Sequence, residues 1–214
     1  MKVFTKRTAP ICAVALLLIG STARATVIAP NSSFTGPAAT ALTPGGAVPA
    51  TTGGAYTIGS DGAGTYSVRV YSPDADNGGR TTIWFTVNVT AGDLNRITLT
   101  NFTGFTTDVF KVAGRDTTFV DRNVGNTVGL NFNGPGVDGL GPTAGNNTVT
   151  YLIRTNAPSY TGGTINLIDG GVTAQASFGP AVPLPAPVWM GLTLLGGAGG
   201  IGRLKKFFRR DQAC

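Results

Sequence analysis

An all-β fold is predicted for this 214-residue chain, and three observations predict it. Between Tyr56 and Phe178, apolar residues recur at alternate positions, which is the period of a half-buried strand. Clusters of Gly, Asn, Asp and Pro interrupt these runs at short intervals, where a left-handed φ or a fixed proline φ turns the chain. No stretch between the two ends keeps a helical period. The prediction is an antiparallel β-sandwich of roughly eight or nine short strands, flanked by an N-terminal signal helix and a C-terminal transmembrane helix. A barrel or a solenoid is the alternative.

Residues 1–25 read as a secretory signal peptide. Lys2, Lys6 and Arg7 supply its positive start, an apolar stretch from Ile11 to Gly20 comes next, and Ala23-Arg24-Ala25 is the small-x-small site at which signal peptidase cuts. That stretch is too short for an uncleaved membrane helix. Residues 26–54 are Ala, Thr, Gly, Pro and Ser with few large apolar side chains, so they bury too little surface to offset their ordering entropy. They are expected to form an extended linker, with room for one edge strand and with Phe34 and Leu42 able to dock on the β-domain.

Residues 55–181 are the expected β-domain. Tyr66, Val68 and Val70 alternate with Ser67 and Arg69, and Ile83, Phe85, Val87 and Val89 alternate with Trp84, Thr86 and Asn88. Weaker pairs occur at Ile97 and Leu99, Phe110 and Val112, Val128 to Phe132, Val149 to Ile153, Ile165 and Leu167, and Ala174 to Phe178. Asp61-Gly62, Asp76-Asn77-Gly78-Gly79 and Asn133-Gly134-Pro135-Gly136 mark turns between them.

The formal charge of +6 belongs to the two ends. Four cations lie in the signal region and five in the tail, so 26–181 keeps seven cations against nine aspartates, a net charge of −2. Nucleic-acid binding is therefore excluded as a reading of the high isoelectric point. The two cysteines, Cys12 and Cys214, also lie at the ends, and the mature domain has none for a disulfide. Its stability must come from burial and backbone pairing.

The same region carries no histidine, glutamate or cysteine. That removes the common general base near neutral pH, the usual zinc ligands and the thiol nucleophile, and no Asp-Thr-Gly or Asp-Ser-Gly triplet is present. The chain is expected not to be an enzyme and to need no cofactor. Asp74-Ala75-Asp76-Asn77-Gly78 begins like a calcium loop, which makes Asp74 and Asp76 the candidate metal ligands. Gly78 stands where the next oxygen belongs, however, and no glutamate closes the sphere, so a hairpin turn is the preferred reading and no metal is expected. Trp84 falls on the strand face opposite Ile83 and Phe85, and Tyr71 opposite Val68 and Val70. Tyr71 and Trp84 are the candidate sugar platform; packing under a neighbouring loop is the alternative.

The tail, 182–210, has three parts. Val182, Pro183, Leu184, Pro185 and Ala186 form a proline-rich pentad that resists helix. An uncharged run from Pro187 to Gly202 is next, short and glycine-rich for a permanent span. Arg203, Lys205, Lys206, Arg209 and Arg210 then form a basic cluster of the kind that stays cytoplasmic. A plain C-terminal membrane anchor is the alternative.

These residues resemble the PEP-CTERM sorting signals of Gram-negative bacteria, in the variant that begins Val-Pro-Leu-Pro-Ala (VPLPA-CTERM). The resemblance covers about the last thirty residues together with the N-terminal export signal. It implies that an exosortase of the inner membrane recognises and cuts the tail, and that the mature protein is cell-surface or extracellular and associated with exopolysaccharide and biofilm. The implied partners are thus signal peptidase, exosortase, the inner membrane through the tail, and exopolysaccharide. The expected function is that of a non-enzymatic surface or matrix protein, with a carbohydrate-binding module of the same matrix as the alternative.

Overall fold

The computed structural model describes residues 26–181, apart from 38, 40–41, 61, 124–125, 135–138 and 143–146. The expected signal peptide, with Ala23 and Ala25, and the whole expected sorting tail, with the pentad and the basic cluster, lie outside the described residues. No helix among the described residues is long and apolar enough to cross a membrane.

The described chain is all-β. Its strands are β1 (Thr26–Val27), β2 (Ser32–Phe34), β3 (Ala50–Ile58), β4 (Gly62–Asp74), β5 (Arg80–Ala91), β6 (Arg96–Leu99), β7 (Thr107–Gly114), β8 (Phe119–Asn123), β9 (Thr127–Asn131), β10 (Thr148–Thr155), β11 (Ser159–Asp169) and β12 (Gly171–Ala181). They form two six-stranded sheets: sheet A in the order β1-β7-β10-β5-β4-β3 and sheet B in the order β12-β11-β6-β9-β8-β2. Every paired strand runs antiparallel to its neighbour. The sheets share one core, to which sheet A contributes Val68, Val70, Ile83, Phe85, Val109 and Ile153, and sheet B Ile97, Leu99, Val120, Leu130, Ile165 and Leu167. Alternation on β4, β5 and β10 puts these residues on one face because the side-chain period of a strand is two.

Twelve strands stand where eight or nine were expected, and the additional ones have physical causes. β1 and β2 are too short to display a period. β3 reads ATTGGAYTI and carries large inward residues only at Tyr56 and Ile58. β8 reads FVDRN, and its inward Arg122 breaks the apolar pattern. Residues 26–54, expected as a linker, thus supply β1, β2 and half of β3 to the two sheets, and Phe34 packs against the core.

The two sides of the molecule differ. On one side β1 pairs with β7 in sheet A and β2 with β8 in sheet B, so a few residues of chain stitch the sheets together. Arg122, 2% exposed, completes this corner by donating to the carbonyl oxygens of Ile28 (3.2 Å) and Phe102 (2.5 Å). On the other side β3 and β12 lie alongside each other, where a Cβ at Gly171 would come within 3.4 Å of Ile58 Cγ2.

Candidate functional site

Trp84 of β5 and Tyr71 of β4 share the outer face of sheet A at diagonal positions, since Trp84 pairs with Arg69 and Tyr71 with Thr82. Both are half-buried. Across the sheet, the row through Trp84 continues to Leu152 and Phe110. Leu152 is 0% and Phe110 2% exposed although both face away from the core. Before β3, Ala39 bridges Lys111 on β7, and the Gly45 N–H donates to Asp74 at the end of β4. The Arg154 guanidinium lies on the same face, 5.8 Å from the centre of the Phe110 ring. Burial pushes the carboxyl of Asp108, its cross-strand partner, upward against the opposing pull of Arg154. Beside Trp84 and Tyr71 on this face, Arg69 is exposed.

Asp74 and Asp76 occupy a turn. Asp74 is fully buried, and its Oδ1 accepts from the N–H groups of Gly45 (2.9 Å) and Asp76 (3.0 Å) while its Oδ2 accepts from the Thr82 hydroxyl (2.5 Å). It caps the one-turn 3-10 helix Ala75–Asn77, and Gly78 and Gly79 close the turn at φ 63° and 77°, a region open to glycine at little cost. Asn77 ties the turn to β10 by donating to the carbonyl of Thr155 (3.0 Å). The Asp74 carboxylate is thus committed to the fold's own donors. Among the described residues, no three His, Cys, Asp or Glu side chains gather into a group able to hold a metal ion.

A second site lies on the outer face of sheet B. Arg96 of β6 reaches over β9 to Asp121 of β8, Nη2 to Oδ1 at 2.7 Å. Asn131 of β9 closes the ring, accepting from Arg96 Nη1 (3.2 Å) and donating to Asp121 Oδ2 (2.7 Å). The crossing exists because position 129 has no side chain. A Cβ there would stand 2.4 Å from Arg96 Nη2 and 2.8 Å from Asp121 Oδ1. Arg96 and Asp121 then form one wall of an open cleft of about 300 Å³, whose other wall is Asn31, Ser32 and Ser33 at the β2 edge. Arg122 and Asn123 complete the lining, all of it polar residues, and hydrogen bonds within the ring hold Arg96 and Asp121 in place. Such a surface presents donors and acceptors side by side, the arrangement that neutral hydroxyl-rich molecules satisfy.

Sequence reasoning placed Tyr71 and Trp84 on one face but found none of the residues of this cleft. The available signal was Gly129, an isolated glycine within an apolar strand pattern, which marks close approach by another group. No family model matches the sequence, and no curated protein and no solved structure matches it.

Proposed function

We propose that this chain is an exported, non-enzymatic surface or extracellular-matrix protein: a β-sandwich carried between a signal helix and a C-terminal transmembrane helix, and sorted through its tail by an exosortase. The observation that carries this reading is the order of the tail, in which Val182, Pro183, Leu184, Pro185 and Ala186 precede an uncharged run and then Arg203, Lys205, Lys206, Arg209 and Arg210. Signal peptidase acts after Ala25, the inner membrane holds the tail during processing, and the mature domain is delivered to the cell surface or medium, in association with exopolysaccharide. Proline keeps the approach to the span extended, as a protease requires, whereas alanine lets it continue as helix. Replacing Pro183 and Pro185 by alanine should therefore leave full-length protein in the inner membrane. Tail peptides from 203–210 in the mature wild-type protein would overturn the reading.

The second reading is a carbohydrate-binding module of the same matrix, and the polar cleft beside Arg96 and Asp121 favours it. Polysaccharide pull-down with the secreted form should retain the protein. Asp121→Asn should abolish retention if the cleft binds, and Trp84→Ala if the outer face of sheet A binds. Loss of neither leaves the first reading alone.

A further inference from the structure

β12 is 11 residues long and β3 nine, and neither carries a charge. Each ends its sheet, β12 with only β11 as neighbour and β3 with only β4, and among the described residues no strand pairs with the outer edge of either. A free strand edge is a row of unsatisfied N–H and C=O groups, and soluble proteins guard it with short strands, lysines, prolines, bulges or a covering segment. The opposite side of this molecule is guarded in that way: its edge strands β1 and β2 have two and three residues and are joined by the chain that stitches the sheets. Among the described residues the β3/β12 side has no such device along 171–176. Gly171, Val172, Ala174 and Ala176 are all exposed there, Val172 at 66%, and the first proline of β12 is Pro180.

We infer that this side is an interface between two copies of this chain, in which β12 of one copy pairs antiparallel with β12 of the other about a two-fold axis. The occupant is dictated by the edge itself. An uncharged edge with small side chains repels nothing of its own kind, and an antiparallel pair centred on Ala174 places residues 172 and 176 of the two copies opposite each other on one face. Sheet B then runs continuously through both molecules, and β3 beside it lies at the same seam. Among the described residues only one side of each copy has open edges, so the contact is isologous and closes at a dimer; two open sides would have propagated into a filament.

The test uses the full chain in detergent micelles, with Cys12 and Cys214 changed to serine. Its mass should be that of a dimer. Adding Ala174→Cys should give a covalent dimer under mild oxidation, because facing positions near the axis bring their Cβ atoms to about 5 Å. Ser33→Cys, exposed on β2 at the guarded side, should stay uncrosslinked. The pair Val172→Lys and Ala176→Lys sets like charges against each other across the seam and should weaken dimerisation about tenfold or more. A monomeric mass at all concentrations, equal crosslinking at positions 174 and 33, or a dimer that the folded lysine variant leaves intact would each overturn the inference. If the lysine variant loses its β-type far-ultraviolet spectrum, the comparison of Ala174→Cys with Ser33→Cys decides alone.

Discussion

Gly129 decides more than its size suggests. It sits within β9 so that the Arg96 side chain can cross the strand to Asp121, and a methyl group there meets the guanidinium before it meets solvent. Gly129→Ala should therefore cost about 1–3 kcal/mol, the range for forcing an atom into occupied space. The check is the urea midpoint, with Arg96→Ala as the companion: once the arginine is gone, the alanine should be tolerated. Tyrosines set a second limit. Burial pushes the Tyr56 hydroxyl up to about 12 and raises that of Tyr151 as well, while an unfolded chain ionises tyrosine near 10. Below pH 10 both states keep these protons, so the stability these groups contribute is fully present. Between 10 and 12 the unfolded state loses protons that the folded state retains, and stability falls by up to about 1.4 kcal/mol per pH unit for each tyrosine. Denaturation midpoints at pH 9 and 11 should show the drop, and Tyr56→Phe should lessen it.

Among the elements, the shortest strands have a joint role. β1 and β2 anchor consecutive short segments of the chain to different sheets, and Arg122 fills the corner between them, donating to Ile28 and Phe102. Its burial lowers the pKa of the guanidinium, the cost of holding that cation among carbonyl groups. Arg122→Met keeps most of the volume but leaves those carbonyls without this donor. A loss of about 3 kcal/mol is expected from unsatisfied buried acceptors, measurable by thermal unfolding, with hydrogen exchange increased first at the amides of Ile28 and Asn31, which pair with Thr107 and Arg122. β8 was illegible in the sequence for the same reason: an arginine at an inward position looks like a break in the strand until its partners, distant in the chain, are known.

For the whole molecule, the unit that folds is set by the sheets rather than by composition. A form comprising residues 26–181 should melt cooperatively, unaffected by reductant, because it has no cysteine, and by millimolar calcium, because the Asp74 carboxylate is occupied by Gly45, Asp76 and Thr82. A form beginning at residue 55 lacks β1, β2 and half of β3 and should melt lower and less sharply. Equal melting of the two forms would return residues 26–54 to the role of a linker.

The sequence by itself determined that the chain is β-rich, where eight of its strands run and which face of β4, β5 and β10 is buried, because a period of two is a local property that any half-buried strand must display. It also carries, in the tail and the N-terminal stretch, the signals on which the proposed destination rests. The tertiary structure alone decided that a Gly- and Thr-rich lead-in becomes edge strands, and that Asp74 serves a turn. It also decided that Arg96, Asp121 and Asn131 meet in a cleft. These outcomes depend on partners dozens of residues away, whose pairing supplies the burial and hydrogen bonds that the local sequence lacks.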